Sequence, residues 1–325
     1  MASVSHMTVT RALRDSPSVT PATKRRVLSV CRKLNYRPNL VASGLRSRKS
    51  YAIGIIIPTF KHTFYARLLN RVEDEARKAG YHIVVFQGER GHAQLVMTWP
   101  DMEFLLARQI DGLLIDLELP SEIVRNLKKE RIPAVFVDIP PKDNDFPFVG
   151  TADFDGSREL TNYLISLGHR RILFLGGPAD HYTSVQRFAG YRAALRENGL
   201  VFSGDLVRHT DYDTEGGYQT CRELLVGQRN FTAIFGVNDY IAIGALSALT
   251  EKGISVPGDV SVVGFTGDDI GAHTIPPLTT MVQPVEEIGG RAVEILFARI
   301  TDSKRPVERL LLPARLMERR SARRI

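Results

Sequence analysis

The chain has 325 residues, of which 43% are hydrophobic, and it carries 43 Lys and Arg against 36 Asp and Glu. This length suffices for one small domain and a larger body of two lobes, at roughly 100 to 200 residues per domain. No apolar run approaches the roughly 20 residues that a membrane span needs, and the first residues have no apolar block typical of a secretory signal. These features predict a cytoplasmic protein without a membrane partner.

Cysteine usage and short motifs weigh against metal sites and cofactors. Only Cys31 and Cys221 occur, each within an apolar helical pattern, so neither a disulfide framework nor a four-ligand zinc site is expected. Neither the dinucleotide-binding nor the P-loop glycine pattern is present. We therefore expect no cofactor, no metal and no catalytic residues, and an enzyme of nucleotide or sugar chemistry is the weaker alternative.

The positive charge is concentrated at the amino end. Residues 1–50 contain 11 Lys or Arg and one acid, which gives +10, whereas the remaining 32 bases and 35 acids give −3. A compact basic segment attached to a mildly acidic body is typical of a polyanion-binding module joined to a second domain. The alternative is a solvated charged tail, and the regular helix signals within the segment disfavour it.

Helix start signals divide this basic segment. A first helix is predicted to begin at a capping Ser5 and to run to about residue 14. After a turn, Thr20 caps a second helix with Pro21 at its first position, where the missing N–H has no cost. A short third helix is predicted over 39–45, and the basic stretch 46–50 is the predicted domain boundary.

Beyond residue 50, apolar strands alternate with amphipathic helices. This alternation is typical of doubly wound α/β sheets, in which parallel strands carry helices on both faces. About 275 residues exceed one such sheet, so we predict two lobes with a cleft at the carboxyl ends of their strands. The predicted strands are Ala52–Pro58, His82–Phe86, Gly112–Leu117, Ala134–Asp138, Arg171–Leu175, Thr232–Val237 and Val260–Phe265.

Seven short segments carry a further signal because they follow one another in a fixed order. They are Val4–Arg11, Leu34–Asn39, Gln109–Leu114, Leu167–Ile172, Arg187–Tyr191, Val237–Asp239 and Pro276–Thr280. In this order they resemble the lactose-repressor (LacI/GalR) family of bacterial transcription regulators. The resemblance covers nearly the whole chain, and although any one segment is weak, their common order is specific.

The resemblance implies a small all-α helix-turn-helix headpiece followed by two Rossmann-like lobes of the periplasmic-binding-protein-like type I. The headpiece and hinge helix would span 1–50, and the effector-binding and dimerisation domain 51–325. Within the latter, we expect an N-lobe of about 51–151 and 283–309 and a C-lobe of about 152–282 and 310–318.

It also implies a homodimeric regulator, most simply a repressor, whose affinity for operator DNA is controlled by a small sugar or sugar acid. The carboxyl-terminal tail lacks leucine heptads, so an added tetramerisation helix is not expected. The alternative is a sugar-binding protein without DNA-binding activity, and the basic amino end argues against it.

The resemblance also assigns DNA-binding residues. His6, Met7 and Arg11 would face base edges, where an arginine can donate two hydrogen bonds to guanine. Ser5 begins the recognition helix, and Thr8 and Thr10 would contact phosphates. Asn39, Ala42 and Leu45 belong to the hinge helix, whose leucine wedges into the minor groove. For His6 and Met7, a solvated helix face remains the alternative.

One departure concerns the headpiece itself. The family pattern has a helix ahead of the recognition motif, and in the printed sequence only three residues precede Val4. We therefore describe the headpiece as truncated. We expect this chain to bind operator poorly and about 10 to 15 added upstream residues, one mean helix plus its cap, to restore binding.

The resemblance finally implies an effector site between the lobes, made of an aromatic wall, an arginine and several polar groups. Aromatic faces suit the C–H side of a sugar ring, and fixed polar groups read its hydroxyls. Asp239 could instead be a helix cap. The assigned effector-binding residues are Phe64, Tyr65, Asp116, Asp138, Arg187, Tyr212, Asn238, Asp239 and Thr266.

Thr266 marks a second departure, because many family members have an aspartate there that accepts hydrogen bonds from sugar hydroxyls. Losing that negative charge makes the binding of an anionic ligand in the pocket more favourable. The segment is also similar to that of gluconate-type repressors. The sequence therefore favours a sugar acid such as gluconate, with Asp268 as an alternative source of the missing carboxylate.

Overall fold

A computed structural model of the chain describes residues 4–13, 16–34, 49–90, 95–107, 110–142, 144–227 and 229–325. The chain divides into two compact units, residues 1–50 and residues 51–325. The expected hinge residues Asn39, Ala42 and Leu45 lie outside the described residues. None of the helices in the described ranges has the length and apolar content that a membrane crossing requires.

The smaller unit contains two helices in mutual contact, α1 (His6–Leu13) and α2 (Pro21–Lys33). The Thr20 hydroxyl accepts a hydrogen bond from the Thr23 amide at 3.4 Å, so Thr20 caps α2 as predicted. Ala12 and Val27 are each 1% exposed and are the buried hydrophobic residues in the described part of this unit. Such a small core contributes little stability by itself.

The larger unit contains fourteen strands, together with helices α3 to α10, among its described residues. The strands are β1 (Ala52–Ile57), β2 (His82–Gln87), β3 (Glu89–Arg90), β4 (Leu95–Val96), β5 (Gly112–Ile115), β6 (Ala134–Val137), β7 (Phe148–Thr151), β8 (Ile172–Gly176), β9 (Val207–His209), β10 (Ala233–Gly236), β11 (Ser261–Thr266), β12 (Thr279–Val282), β13 (Arg309–Leu312) and β14 (Arg315–Met317). The helices are α3 (Thr63–Lys78), α4 (Trp99–Leu106), α5 (Ser121–Lys129), α6 (Asp153–Ser166), α7 (Tyr182–Glu197), α8 (Thr214–Leu224), α9 (Asp239–Glu251) and α10 (Val285–Thr301).

Twelve of these strands form two six-stranded sheets. The first has the order β13-β7-β6-β5-β1-β2, and all its strands are parallel; the second has the order β14-β12-β11-β10-β8-β9, in which β14 is antiparallel to β12. Buried on both faces, the central strands consist almost wholly of apolar residues, as the helix-covered geometry requires. The doubly wound, two-lobed α/β fold predicted from the sequence is confirmed.

The chain passes between the two lobes at three points: after β7, after β12 and between β13 and β14. The last crossing differs from the expected lobe boundary at residue 309, because β13 pairs with β7 and keeps residues up to 312 in the first lobe. The second lobe also extends beyond residue 318. The Ser321 carbonyl accepts from the Val262 amide at 2.7 Å, and the Ile325 amide donates to Leu167 at 2.9 Å.

Candidate functional site

Helix α1 presents polar and flexible side chains to solvent. The Ser5 hydroxyl accepts from the Thr8 amide at 3.2 Å, so Ser5 caps this helix. Met7 is 45% exposed and Arg11 is exposed. His6 and Thr10 lie on the same helix. The exposed Arg11 is free of an acidic neighbour in the sequence of α1, which suits contact with a nucleic acid.

Helix α2 adds a basic surface that the sequence analysis did not assign. Its exposed bases are Arg25, Arg26, Arg32 and Lys33. Residues 16–34 contain no acid. Exposed guanidinium and ammonium groups without acidic partners are the usual contacts to DNA phosphates. The concentration of positive charge in residues 1–50 was the sequence signal from which these basic residues could have been predicted as phosphate contacts.

In the larger unit, several of the effector-binding residues predicted from the sequence lie at the carboxyl ends of strands, in both sheets. Asp116 comes directly after β5, Asp138 directly after β6, and Val237 and Asn238 directly after β10. Thr266 is the last residue of β11. Because ligands of parallel sheets bind beyond the carboxyl ends of the strands, these positions define the candidate site.

Arg187 on α7 is the fixed cation of this site and is 4% exposed. Its Nε donates to Asp153 Oδ1 at 2.8 Å, and its Nη1 donates to the Val237 carbonyl at 2.6 Å. The guanidinium carbon lies 3.9 Å from the centroid of the Phe265 ring. Two hydrogen bonds and a cation–π contact thus hold the side chain in one orientation.

Asp153, the first residue of α6, was not assigned from the sequence. It is 2% exposed, and its Oδ2 has no hydrogen-bond partner. Burial raises its pKa, while the charge of Arg187 and the hydrogen bond from it lower the pKa. Its position two residues after β7 repeats the pattern of Asp116 and Asp138, each one residue after a strand, and that repetition was the available signal.

Asp116 and Asp138 bring two further carboxylates into the same region. Asp116 is 1% exposed and neither of its oxygens has a partner; Asp138 Oδ1 is likewise buried and unpartnered. Burial raises the pKa of Asp116 well above its ordinary value, and the charge of Asp138 raises it further. Burial raises the pKa of Asp138 to about 7, with Asp153 raising it and Arg187 lowering it.

Two tyrosines provide aromatic surface. Burial raises the pKa of Tyr65 well above its ordinary value, and the nearby charges of Asp116 and Asp138 raise it further. The hydroxyl of Tyr212 lies 3.1 Å from Thr183 Oγ1 and 3.0 Å from His181 Nδ1. Tyr65 also lies within electrostatic range of Tyr212, so the two rings, from different lobes, belong to one site.

Gly177 allows the Tyr212 ring to approach the end of β8. A Cβ added at residue 177 would overlap the ring of Tyr212 at three of its carbon atoms. Every other residue type carries that Cβ, so this close approach requires glycine. The sequence analysis did not identify this requirement.

Four assigned residues have environments that limit their direct contact with a ligand. Asn238 Oδ1 accepts from the Ile241 amide at 2.8 Å, so Asn238, rather than Asp239, caps α9; its Nδ2 donates to the Tyr212 carbonyl. Asp239 is fully buried, and its oxygens accept from the Asp268 amide and the Thr280 hydroxyl. This geometry favours a structural role for Asp239.

Phe64 and Thr266 are also constrained. Phe64 is 6% exposed and packs into the first-lobe core with Leu68 and Val285, which places it behind the wall that Tyr65 provides. The Thr266 hydroxyl donates to the carbonyl of Phe265, and Thr266 has a φ of 148°. A β-branched residue with positive φ is rare, and such strain is concentrated at functional positions.

Contacts between the lobes occur beside the cleft. The Tyr240 hydroxyl accepts from the Thr63 amide at 3.1 Å, and the Thr63 hydroxyl donates to Asp268. At the crossings, Gln283 Nε2 donates to Thr151 Oγ1 at 2.8 Å. The sequence analysis did not find these contacts, because they join residues that are 132 to 205 positions apart.

A basic helix pair joined to two parallel-sheet lobes with a polar, arginine-containing cleft defines a ligand-responsive DNA-binding protein. Residues 1–39 match bacterial regulatory proteins of the lacI family, and residues 161–322 match the periplasmic binding protein-like domain. The chain therefore belongs to the LacI family. It is a DNA-binding transcription regulator and not an enzyme, as the sequence predicted.

Two curated relatives align over nearly the full length. Catabolite control protein A of Priestia megaterium is 32% identical over 99% of this chain and 97% of its own length. The ribose operon repressor of Escherichia coli K12 is 31% identical over the same shares of each chain. The resemblance inferred from seven short segments thus extends through both units.

Solved structures support the same assignment. The lac repressor dimer bound to operator and the anti-inducer ONPF matches with a TM-score of 0.86 and 28% identity, covering 99% of this chain and 96% of that one. The complex of the transcriptional regulator CelR with cellobiose matches with a TM-score of 0.76 and 30% identity, covering 98% and 97%.

Proposed function

We propose that this regulator is a repressor whose affinity for operator DNA is set by a sugar-class effector in the cleft between its lobes. The observation that carries the proposal is the group formed by Arg187, Asp116, Asp138 and Asp153, in which buried carboxylate oxygens lack partners. Buried acceptors without donors are unfavourable, and a polyhydroxy ligand supplies donors. The relative whose structure was solved with cellobiose and the relative named for the ribose operon support this ligand class.

We assign the site residues by their environments. Tyr65 and Tyr212 form the aromatic walls, Arg187 and the three aspartates provide the polar contacts, and Asn238 positions Tyr212. Phe64, Asp239 and Thr266 support these groups from behind. On DNA, we assign base contacts to His6, Met7 and Arg11 and phosphate contacts to Ser5, Thr8 and Thr10, with Asn39, Ala42 and Leu45 in the hinge.

The chain functions as a homodimer in this proposal, as the lac repressor does in its operator complex. Two recognition helices then meet adjacent half-sites, which a palindromic operator provides. Its place of action is the cytoplasm, where the operator is. Effector binding changes operator affinity by favouring one of two lobe arrangements, which requires different effector affinities for the two.

Two measurements test the proposal. Thermal unfolding of the chain with sugars, sugar acids and purine bases should show stabilisation by a sugar-class ligand, by about 2.7 kcal/mol at 100 times its Kd. Selection from random duplexes, followed by fluorescence anisotropy, should yield a palindromic site. Stabilisation by purines alone would refute the effector class, and failure to select any DNA sequence would refute operator binding.

A further inference from the structure

The charges of the cleft are unbalanced towards the negative. Asp116 lies within electrostatic range of Asp138, and Asp138 lies within electrostatic range of Asp153 and Arg187. Arg187 is paired with Asp153, so a proton lost from Asp116 or Asp138 adds a negative charge that this ion pair does not neutralise. A charge brought into a buried site is costly unless an opposite charge compensates it.

The one guanidinium of this group is already engaged. Arg187 donates through Nε to Asp153 and through Nη1 to the Val237 carbonyl, and Phe265 covers one face of its plane. A ligand carboxylate could not form the paired contact of Nε and a terminal nitrogen without displacing Asp153. An arginine committed in this way is a poor receptor for an anion.

Most of the unpartnered buried atoms near Arg187 and Tyr212 are carboxylate oxygens, and the Ser184 hydroxyl is the unpartnered group among them that can also donate. Both oxygens of Asp116, Oδ1 of Asp138 and Oδ2 of Asp153 are buried without a hydrogen-bond partner. Each of these oxygens needs a donor, and the two oxygens of Asp116 suit two neighbouring hydroxyls. A ligand carboxylate offers acceptors only and would face these oxygens with like charge.

We infer that the cleft takes uncharged polyhydroxy ligands and rejects sugar carboxylates, with Asp116 and Asp138 as the residues that determine this specificity. The inference rests on the proposed sugar-class effector and narrows it. It also replaces the sugar-acid expectation drawn from Thr266. The Thr266 hydroxyl donates to its own chain at Phe265, while negative charge enters the site from the strand ends of the other lobe.

Matched ligand pairs test the inference in the full chain. Isothermal titration would compare D-glucose with D-glucuronate and D-galactose with D-galacturonate, since each acid keeps the sugar ring and differs from its neutral partner only in the oxidation of C6. The neutral sugar should bind at least ten-fold more tightly in any pair that binds. An acid that binds as well as its neutral partner, or better, would overturn the inference while leaving the sugar-class effector intact. If none of these four ligands binds, and neither D-ribose nor D-gluconate binds, both the inference and the proposed sugar-class effector are overturned.

Charge-removing variants then identify the residues responsible. Asp116→Asn should weaken neutral-sugar binding about ten-fold and reduce the difference in affinity between each neutral sugar and its acid. Asp138→Asn is a second, independent variant, and asparagine tolerates the φ of 55° at this position. Asp205 is an exposed residue in a short turn of the second lobe. Asp205→Asn removes the same charge outside the cleft and should leave the affinities for the neutral sugar and for its acid unchanged. If the difference in affinity between sugar and acid is unchanged in both cleft variants, the assignment of this specificity to Asp116 and Asp138 is refuted.

Discussion

Removing the Arg187 guanidinium should destabilise the protein mainly because it leaves Asp153 buried without its partner. Arg187→Met keeps an apolar stem on Phe265 but removes the 2.8 Å ion pair with Asp153 and the 2.6 Å hydrogen bond to Val237. Breaking one partner of a buried ion pair costs about 3 to 5 kcal/mol. Urea unfolding followed by circular dichroism would measure this as a lower free energy of unfolding.

The second variant of this cycle separates lost attraction from uncompensated charge. Asp153→Asn combined with Arg187→Met should recover about half or more of the loss, since position 153 then no longer carries a buried charge without its partner. Losing Arg187 also removes the interaction that lowers the Asp153 pKa. The single variant should therefore regain stability relative to wild type as the pH falls and Asp153 is protonated. A double variant as unstable as the sum of both single variants at every pH would refute the reasoning.

Three further predictions concern pH, the aromatic wall and DNA. Burial raises the pKa of Asp138 to about 7, so the stability gained from its protonated carboxyl should be lost as the pH rises from about 4 through 7. Asp138→Asn should flatten the plot of Tm against pH over this range. Donors from a neutral ligand favour the ionised carboxylates, so titrations in two buffers near pH 7 should show proton release; proton uptake would contradict this. Gly177→Ala should displace Tyr212 and weaken effector binding about ten-fold, whereas Gly204→Ala, whose Cβ meets open space, should not; equal affinities would exclude the stacking role. Arg11→Ala should cost about 1 to 3 kcal/mol on the selected operator and relax its sequence preference, whereas Arg32→Ala should weaken all sequences alike; the reverse pattern would disprove the assignment.

The regular parts of the fold were predictable because burial on both faces gives long apolar runs. The predicted strand Ala52–Pro58 is observed as Ala52–Ile57, and the predicted strand His82–Phe86 is observed as His82–Gln87. The short strands β7, β9, β12, β13 and β14 were not predicted. Each of these strands contains a polar residue that interrupts the apolar run, whereas the four-residue strand β6 is wholly apolar and was predicted. Pairing with distant strands decides the conformation of such mixed segments.

The site was predictable to the level of strand ends but not of side-chain roles. Family position directed attention to Arg187 and Asp138, but it could not show that Arg187 is committed to Asp153. Phe64 and Tyr65 are neighbours of the same chemical type, and only packing distinguishes the core ring from the cleft ring. Thr266 suggested an anionic ligand because a single position was considered without the buried carboxylates of the other lobe.

The central claim is that occupancy of the cleft controls DNA binding, and one titration tests it directly. Fluorescence anisotropy would measure the Kd of the chain for its selected operator, with and without a saturating neutral sugar, in wild type and in Asp116→Asn. The account predicts a change of at least ten-fold in wild type, in either direction, and recovery of that change in the variant only at higher sugar concentration. An operator affinity that stays the same while the sugar demonstrably binds would contradict the account.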